Sequence, residues 1–222
     1  ETIVSNWAGN IKFKPGRVFQ PEKEADIKAI VQQAKEQNRK IRLIGSGHSW
    51  SPLVITNDFL VNLNSYNRVI ELDKEKQLLT VQSGMKLKYI NVYLAEKGYA
   101  LANLGSIAEQ SVGGGIATGT HGSGTAFKIL GDQLQAFKLI DGHGNTQWID
   151  REETPERFKR SVVHLGALGI VSALKIKIVP AFQLHETTEL LDFDVICKDY
   201  DQIIKSADHV KFWWFPPVEK ML

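Results

Sequence analysis

Apolar side chains in the first half of the chain recur with two spacings, one helical and one typical of strands. Residues 21–37 carry apolar side chains three or four positions apart, which predicts an amphipathic helix. Residues 86–97 predict a second helix, because Gly98 follows where a helix commonly ends. Shorter apolar runs predict strands at residues 41–44, 59–63, 68–72 and 77–82.

The second half continues this mixture of strands and helices up to Pro180. Residues 134–140 and 146–149 predict the two strands of a hairpin, because the segment between them, DGHGN, has the composition of a turn. A short helix is predicted over residues 155–163 and a strand over residues 169–179. The chain up to Pro180 is therefore expected to mix helices with sheet.

Beyond Pro180 the pattern changes. A segment at residues 186–194, a helix near residues 198–207 and an apolar strand, FWWF, at residues 212–215 predict the beginning of a second domain. An apolar strand near the end of a chain normally pairs with further strands, and the sequence starts with Glu1 rather than Met. We therefore expect this chain to be a fragment that pairs with the remainder of its own polypeptide.

Composition narrows the functional classes. The 222 residues are 43% hydrophobic, which is enough to bury a hydrophobic core. The net charge is only +2, so the chain has no strong positive electrostatic potential that would attract nucleic acid. It has no apolar run of about 18 residues that would form a membrane span. Cys197 is the only cysteine and the histidines lack short ligand spacings, so we expect no disulfide and no metal site. A soluble intracellular protein is favoured, with a membrane-associated organelle as the alternative.

Two glycine-rich segments carry the candidate chemistry. The first, GSGHSWSP at residues 45–52, directly follows a predicted strand, and the second, SVGGGIATGTHGSG, occupies residues 111–124. Glycines let backbone N–H groups approach an anion, and the interleaved serines and threonines add hydroxyl groups. Together they indicate a ligand that contains a pyrophosphate; the alternative is that the glycines only form turns.

The common nucleotide motifs do not fit these segments. The first lacks the third glycine of the dinucleotide fingerprint, and Thr120 occupies the position where a phosphate-binding loop needs lysine. His48 stands between Gly47 and Ser49, at the predicted rim of a pocket, and neutral imidazole is a competent nucleophile. It is either a reactive group of the site or a polar surface residue.

Several segments, in order along nearly the whole chain, resemble one flavoprotein family: residues 6–9, 45–49, 104–107 with 109–113, 119–122, 164–170 and 210–216. The family is that of vanillyl-alcohol oxidase, with an FAD domain named after p-cresol methylhydroxylase, and the match is to its sugar-1,4-lactone oxidases. The resemblance implies an α+β fold. Residues 1–181 would form the FAD-binding domain, with subdomains of about residues 1–73 and 74–181, and residues 182–222 would begin a truncated cap domain for the substrate.

The same resemblance implies FAD as cofactor, bonded covalently through His48 to the 8-methyl carbon of the flavin. It places backbone groups of the first loop along the pyrophosphate, other groups along the rest of the cofactor, and Ile170 near the adenine. Gly105 corresponds to a position beside the flavin where a glycine leaves room for oxygen. The implied cofactor-binding residues are Gly45, Ser46, Gly47, His48, Ser49, Trp50, Gly105, Ser106, Ser111, Gly114, Thr118, Gly119, Thr120, His121, Gly122 and Ile170.

The implied function is an FAD-dependent oxidase of sugar-1,4-lactones in an ascorbate-type pathway. Its partners would be the lactone and molecular oxygen, which would be reduced to hydrogen peroxide. An alditol oxidase acting on a polyol and a non-catalytic flavin module completed by a partner chain are the alternatives. The family's catalytic residues correspond to positions beyond residue 222, so the catalytic residues are unknown.

Overall fold

A computed structural model describes residues 2–216 and 220–221 of the chain. Its strands, in chain order, are β1 (Val4–Ser5), β2 (Lys12–Phe13), β3 (Arg17–Phe19), β4 (Ile41–Ile44), β5 (Phe59–Asn62), β6 (Val69–Asp73), β7 (Leu78–Gln82), β8 (Tyr99–Ala100), β9 (Leu134–Ile140), β10 (Thr146–Asp150), β11 (Ile170–Lys177), β12 (Val179–Pro180), β13 (Leu191–Asp192) and β14 (Lys220–Met221). Its α-helices are α1 (Glu24–Glu36), α2 (Leu87–Ala95), α3 (Val112–Ala117), α4 (Pro155–Ser161) and α5 (Phe193–Ile203).

The first layer is a parallel sheet in the order β3-β5-β4, covered by helix α1. The helix starts where the Asp26 carboxylate accepts the backbone N–H groups of Glu22 and Lys23 at 3.1 and 3.0 Å, at and just before the N-cap position. Its apolar face, with Ile27 at its centre, packs on Phe59 and other residues of β5. The strand that precedes the first glycine segment, β4, is thereby fixed on a small hydrophobic core beside α1.

The second layer is an antiparallel sheet of five strands in the order β10-β9-β11-β7-β6. The hydrophobic core against it includes buried residues of α2, α3 and α4. In the central strand β11, neighbouring residues are buried on both faces, because the strand lies inside the sheet and between layers. This sheet and its helices carry the second glycine segment.

The two layers meet at the ends of β9 and β11. Ile140 and Ile170 lie opposite each other in these strands of the second sheet. Both side chains nevertheless belong to the hydrophobic core of the first sheet, beside α1. Gly84 approaches the carbonyl oxygens of Leu63 and Tyr66, which leaves no room for a side chain at that junction. The layers are thus in contact through both side chains and backbone.

Most of the helices and strands expected before Pro180 are confirmed, with ends shifted by a few residues. Residues 112–117 differ: they form helix α3, although no periodic element was expected in the second glycine segment. Pro180 does not simply end a strand, since it pairs with Tyr99 in the short β12–β8 ladder.

The segment after residue 181 also differs from expectation. Helix α5 begins at Phe193, five residues earlier than predicted, directly after Asp192 in the cap position. Residues 212–215 do not form a strand; only Trp214 is a bridging residue, and its ring packs on Phe193 at 5.2 Å. The predicted division into domains stays a prediction. In the described part of the chain, no helix is both long and apolar enough to span a membrane.

Candidate cofactor site

A cavity of about 600 Å³ lies between the two layers and is open to solvent. This volume is within the range of small-molecule and cofactor sites in proteins. Both glycine segments contribute to its wall. The predicted site residues that line it are Gly45, Ser46, Gly47, His48, Ser49, Ser111, Gly114 and Thr118.

The first glycine segment turns sharply as it leaves β4. Gly47 has a φ of +69°, a left-handed conformation that glycine adopts at little cost. Gly45 lies against the Ser111 side chain, and a methyl group there would overlap the Ser111 hydroxyl oxygen. The absence of a side chain at Gly45 therefore lets the first segment contact the second, whereas Gly47 faces the N-terminal segment at Asn6 and Trp7.

Ser46 presents the clearest unsatisfied group of the site. Its hydroxyl oxygen is buried and has no hydrogen-bond partner among the described residues. A buried hydroxyl without a partner is costly, so such groups normally find one in the protein or in a ligand. The hydroxyl and the glycine backbone beside it fit a phosphate-bearing cofactor.

The second glycine segment is held against the end of β7. Val112 and Ile116 of α3 are buried in the hydrophobic core of the five-stranded sheet. The Gly113 N–H donates to the Ser83 carbonyl oxygen at 2.9 Å. A methyl group on Gly113 would lie 2.8 Å from the Ser83 Cβ. Close backbone packing thus positions α3 at the cavity.

His48 lines the cavity and is partly exposed. Its ring stacks on the Trp7 indole, with a centroid distance of 5.3 Å and an angle of 22° between the ring planes. The backbone on both sides of His48 is also held by the N-terminal segment. The Trp7 N–H donates to the Gly47 carbonyl oxygen at 2.8 Å, and the Asn6 side-chain amide donates to the Ser49 carbonyl oxygen at 3.0 Å.

His164 is a second histidine in the cavity wall. The Gly166 N–H donates to its Nδ1 at 3.0 Å, so a neutral ring carries its proton on Nε2. The ring stacks on Phe137 at 6.4 Å. Burial lowers the pKa of His164 below its usual value of 6.5, so the ring is neutral at pH 7.

Sequence reasoning did not identify His164 as a site residue, although the segment that contains it was recognised as part of a family motif. Some other cavity residues, such as Leu63 and Ser83, come from positions that carry no local signal, because strand ends from both sheets converge there. The remaining residues that line the cavity are Arg42, Leu43, Ile44, Ser51, Leu53, Val54, Leu63, Ser83, Gln110, Gly113, Gly115, Ala117, Leu165, Gly166 and Val171.

Half of the predicted site residues do not line this cavity: Trp50, Gly105, Ser106, Gly119, Thr120, His121, Gly122 and Ile170. Gly105 packs against the Thr120 methyl group and the His121 carbonyl oxygen, so these three positions form one contact. Ile170 lines a neighbouring cavity of about 300 Å³, which shares Leu43 and Gly166 with the first. The cofactor roles of these residues stay predictions.

The far end of the second glycine segment contacts the segment after residue 181. The His209 Nδ1 lies 3.1 Å from the Ser123 carbonyl oxygen, which can only accept, so the histidine nitrogen is the donor. The His209 ring also stacks on Phe127 at 4.8 Å, and Gly124 lies against the Asp208 backbone. Among residues 2–216 and 220–221, no group of three or more His, Cys, Asp or Glu residues could hold a metal ion.

Comparison with known families agrees with this geometry. The family described as FAD binding domain matches residues 15–150, which is more than half of the chain and includes both glycine segments. The chain belongs to the FAD binding domain family. The cofactor of this fold is thus FAD, as predicted. A second family, described as D-arabinono-1,4-lactone oxidase, matches residues 174–222.

Similar proteins include sugar-lactone oxidases of the vanillyl-alcohol oxidase family, which confirms the predicted relationship. A D-arabinono-1,4-lactone oxidase of Eremothecium gossypii is 40% identical over 98% of this chain and 42% of its own length. An L-gulonolactone oxidase of Scyliorhinus torazame is 33% identical over 97% of the chain and 49% of its own length. The chain therefore spans less than half the length of these relatives.

Solved structures confirm the fold class. The structure of cholesterol oxidase from Brevibacterium sterolicum matches 99% of this chain and 46% of its own chain, with a TM-score of 0.83. At 17% identity the similarity concerns the fold alone. The predicted α+β fold, an FAD-binding domain of the p-cresol methylhydroxylase type, is thereby confirmed.

Proposed function

We propose that this chain is the flavin-binding part of an FAD-dependent oxidase that acts on sugar-1,4-lactones. The observation that carries the proposal is the cavity between two glycine segments, with His48 and the unpaired Ser46 hydroxyl in its wall. The relatives named D-arabinono-1,4-lactone oxidase, similar along nearly the whole chain, support lactones as the substrate class.

The residues of the chain would bind and orient the cofactor. Backbone N–H groups of the first segment can face the pyrophosphate, because glycine lets the backbone approach it closely. The Ser46 hydroxyl would donate its unused hydrogen bond to the same anion. Bound FAD would supply the redox chemistry, which is hydride acceptance from a substrate carbon and two-electron reduction of dioxygen to hydrogen peroxide.

We propose that His48 holds this cofactor covalently. A ring nitrogen of His48 would lose its proton and form a C–N bond to the 8-methyl carbon, which would lose one hydrogen. The two electrons and two protons released by this bond formation would be taken up by dioxygen, through the flavin, to give hydrogen peroxide. The support is the place of His48, partly exposed at the cavity wall between two small residues.

The covalent bond is tested by acid denaturation of the purified, yellow protein. Flavin fluorescence is expected in the protein pellet of the wild type, and only in the supernatant for His48→Ala, which should still bind FAD reversibly. If the wild-type pellet is colourless, covalent attachment is wrong.

The substrate class is tested with the full-length protein under anaerobic conditions. Loss of flavin absorbance is expected on mixing with D-arabinono-1,4-lactone or L-gulono-1,4-lactone, followed by peroxide formation when oxygen is admitted. Reduction by xylitol in preference to both lactones would indicate an alditol oxidase instead. Reduction by none of the three would favour a flavin module without catalysis of its own.

A further inference from the structure

The N-terminal segment is built around Asn6, a buried polar residue. Its side chain is 6% exposed and makes three hydrogen bonds within the segment and with the first glycine loop. The amide nitrogen donates to Asn10 Oδ1 at 2.7 Å and to the Ser49 carbonyl oxygen at 3.0 Å, and the amide oxygen accepts the Ile11 N–H at 3.1 Å. This network fixes the segment on the loop that carries His48.

Trp7, the next residue, does not contribute to a hydrophobic core. Its side chain is 67% exposed, so most of a large apolar surface remains in water. Its backbone N–H nevertheless bonds to the Gly47 carbonyl oxygen at 2.8 Å, and its indole lies nearly parallel to the His48 ring. The position of the indole is thus set by the backbone bond to Gly47 and by contact with the His48 ring, and not by burial in a core.

We propose that Trp7 is a positioning residue that orients the His48 imidazole for its bond to the flavin, an inference that rests on the covalent attachment proposed above. The backbone bonds at Gly47 and Ser49 fix the chain on both sides of His48, but they leave its side chain free to rotate. Stacking on Trp7 restricts that rotation, because one face of the imidazole is covered.

The expected benefit is geometric. A bond between two groups forms faster when they are held in attack geometry, and a small misplacement can slow it strongly. Trp7 would therefore affect how fast the C–N bond forms, and have little effect on how tightly FAD is held before it forms. No contact of Trp7 with the cofactor itself is needed for this role.

The test follows bond formation in time. FAD-free full-length protein is mixed with FAD, and acid-stable flavin fluorescence is measured at intervals, with reversible binding measured separately at early times. Trp7→Ala should bind FAD like the wild type but form the covalent bond roughly ten- to a hundredfold more slowly. Trp7→Phe, which keeps an aromatic ring, should form the covalent bond at close to the wild-type rate. Trp7→Leu, which keeps only a bulky apolar side chain, should be as slow as Trp7→Ala.

Trp148→Ala is the matched control, since Trp148 is an exposed tryptophan on the edge strand β10, away from the cavity lining. Its rate should equal that of the wild type. Equal rates for Trp7→Ala and the wild type, or equal rates for the Phe and Leu variants, would overturn the role of Trp7 while leaving the covalent bond intact. Absence of acid-stable flavin in the wild type would overturn the covalent bond, and the role of Trp7 with it. If Trp7→Ala fails to bind FAD, the rates of covalent bond formation in Trp7→Phe and Trp7→Leu decide whether an aromatic ring is required at this position.

Discussion

At Gly105, a single methyl group would test the predicted route of oxygen to the flavin. A Cβ at this position would lie 3.1 Å from the Thr120 methyl carbon and 3.3 Å from the His121 carbonyl oxygen, so the neighbours would have to move by a few tenths of an ångström. We expect Gly105→Ala to slow reoxidation of the reduced flavin by oxygen and to lower the free energy of unfolding by about 1–3 kcal/mol.

Stopped-flow mixing of the reduced full-length enzyme with oxygen measures this rate. Gly142→Ala is the control, because a methyl group there would meet no atom within 4 Å. An unchanged rate for Gly105→Ala would remove the case for an oxygen gate at this position.

The buried ring of His164 predicts a pH dependence of stability. Its folded-state pKa lies below the usual 6.5 because burial disfavours the charged form. Between the two values the unfolded chain binds more protons than the folded one, so the free energy of unfolding falls as the pH is lowered through 6.5. Urea unfolding of FAD-free protein at pH 7.5 and 5.5 should show this loss, and His164→Gln should show less of it.

The carboxyl groups of Asp58 and Glu109 contribute at a lower pH than His164. The pKa of Asp58 is lowered by hydrogen bonds from Arg39 and Lys40, and that of Glu109 by Lys88 and Lys86, from usual values of 3.8 and 4.5. The stability they contribute is lost only as the pH falls through and below those usual values. An equal loss in the wild type and His164→Gln would contradict the assignment to His164.

At the scale of single residues, the sequence locates cavity-lining residues where the signal is local. Ser46 and His48 were identified because both lie in one short segment with a recognisable composition. Ser83 and Leu63 were missed, since they reach the cavity only when strands from two sheets converge. Sequence separation, rather than residue type, decided which site residues could be found.

Helix α3 depends on how closely it packs on the end of β7. Ser83 cannot easily yield, because its N–H and hydroxyl both donate to carbonyl oxygens of β11, the hydroxyl at 2.6 Å from Val171. Gly113→Ala should therefore lower the free energy of unfolding by about 1–3 kcal/mol, and weaken FAD binding as α3 is displaced. Chemical unfolding and flavin titration measure the two effects.

The same helix offers its own control. A methyl group on Gly115 would come no closer than 3.6 Å to any neighbour. Gly115→Ala should leave stability unchanged or raise it by up to about 1 kcal/mol, since alanine favours helix over glycine. Equal destabilisation by both substitutions would show that glycine flexibility, rather than the contact with Ser83, is what α3 requires.

Helix α3 also shows why the secondary structure of the second glycine segment could not be predicted from the sequence. Its three consecutive glycines have poor helix propensity, and its six residues are too few for a helical period. Burial of Val112 and Ile116 in the hydrophobic core of the five-stranded sheet outweighs this low helix propensity. Helix α1 was predicted because its acidic first turn and apolar face are signals within the segment itself.

For the whole chain, we expect residues 1–222 to bind FAD but scarcely to oxidise a lactone. The cavity is formed by described residues of both layers, so we expect it to bind FAD without a further segment. Turnover needs a substrate held over the flavin and a group that accepts its proton. We propose that these come from the part of the relatives' length that this chain does not match, which exceeds half of the Eremothecium gossypii protein.

The experiment compares the FAD-loaded chain of residues 1–222 with the longer relative from Eremothecium gossypii, of which the chain covers 42%. Both are mixed with D-arabinono-1,4-lactone and L-gulono-1,4-lactone without oxygen, and flavin absorbance is followed. Rapid bleaching of the shorter chain would show that residues 1–222 already contain a complete active site. Slow bleaching of both proteins would instead indicate that neither lactone is the substrate.

The insertion of Ile140 and Ile170 into the core of the first sheet has a consequence for cooperativity. Two strands of one layer supply side chains to the other, so neither layer can unfold without exposing apolar surface of both. Denaturation should then follow a single transition rather than two. FAD bound between the layers would stabilise that transition as a whole, by mass action, so cofactor occupancy would set the melting temperature of the entire two-layer unit.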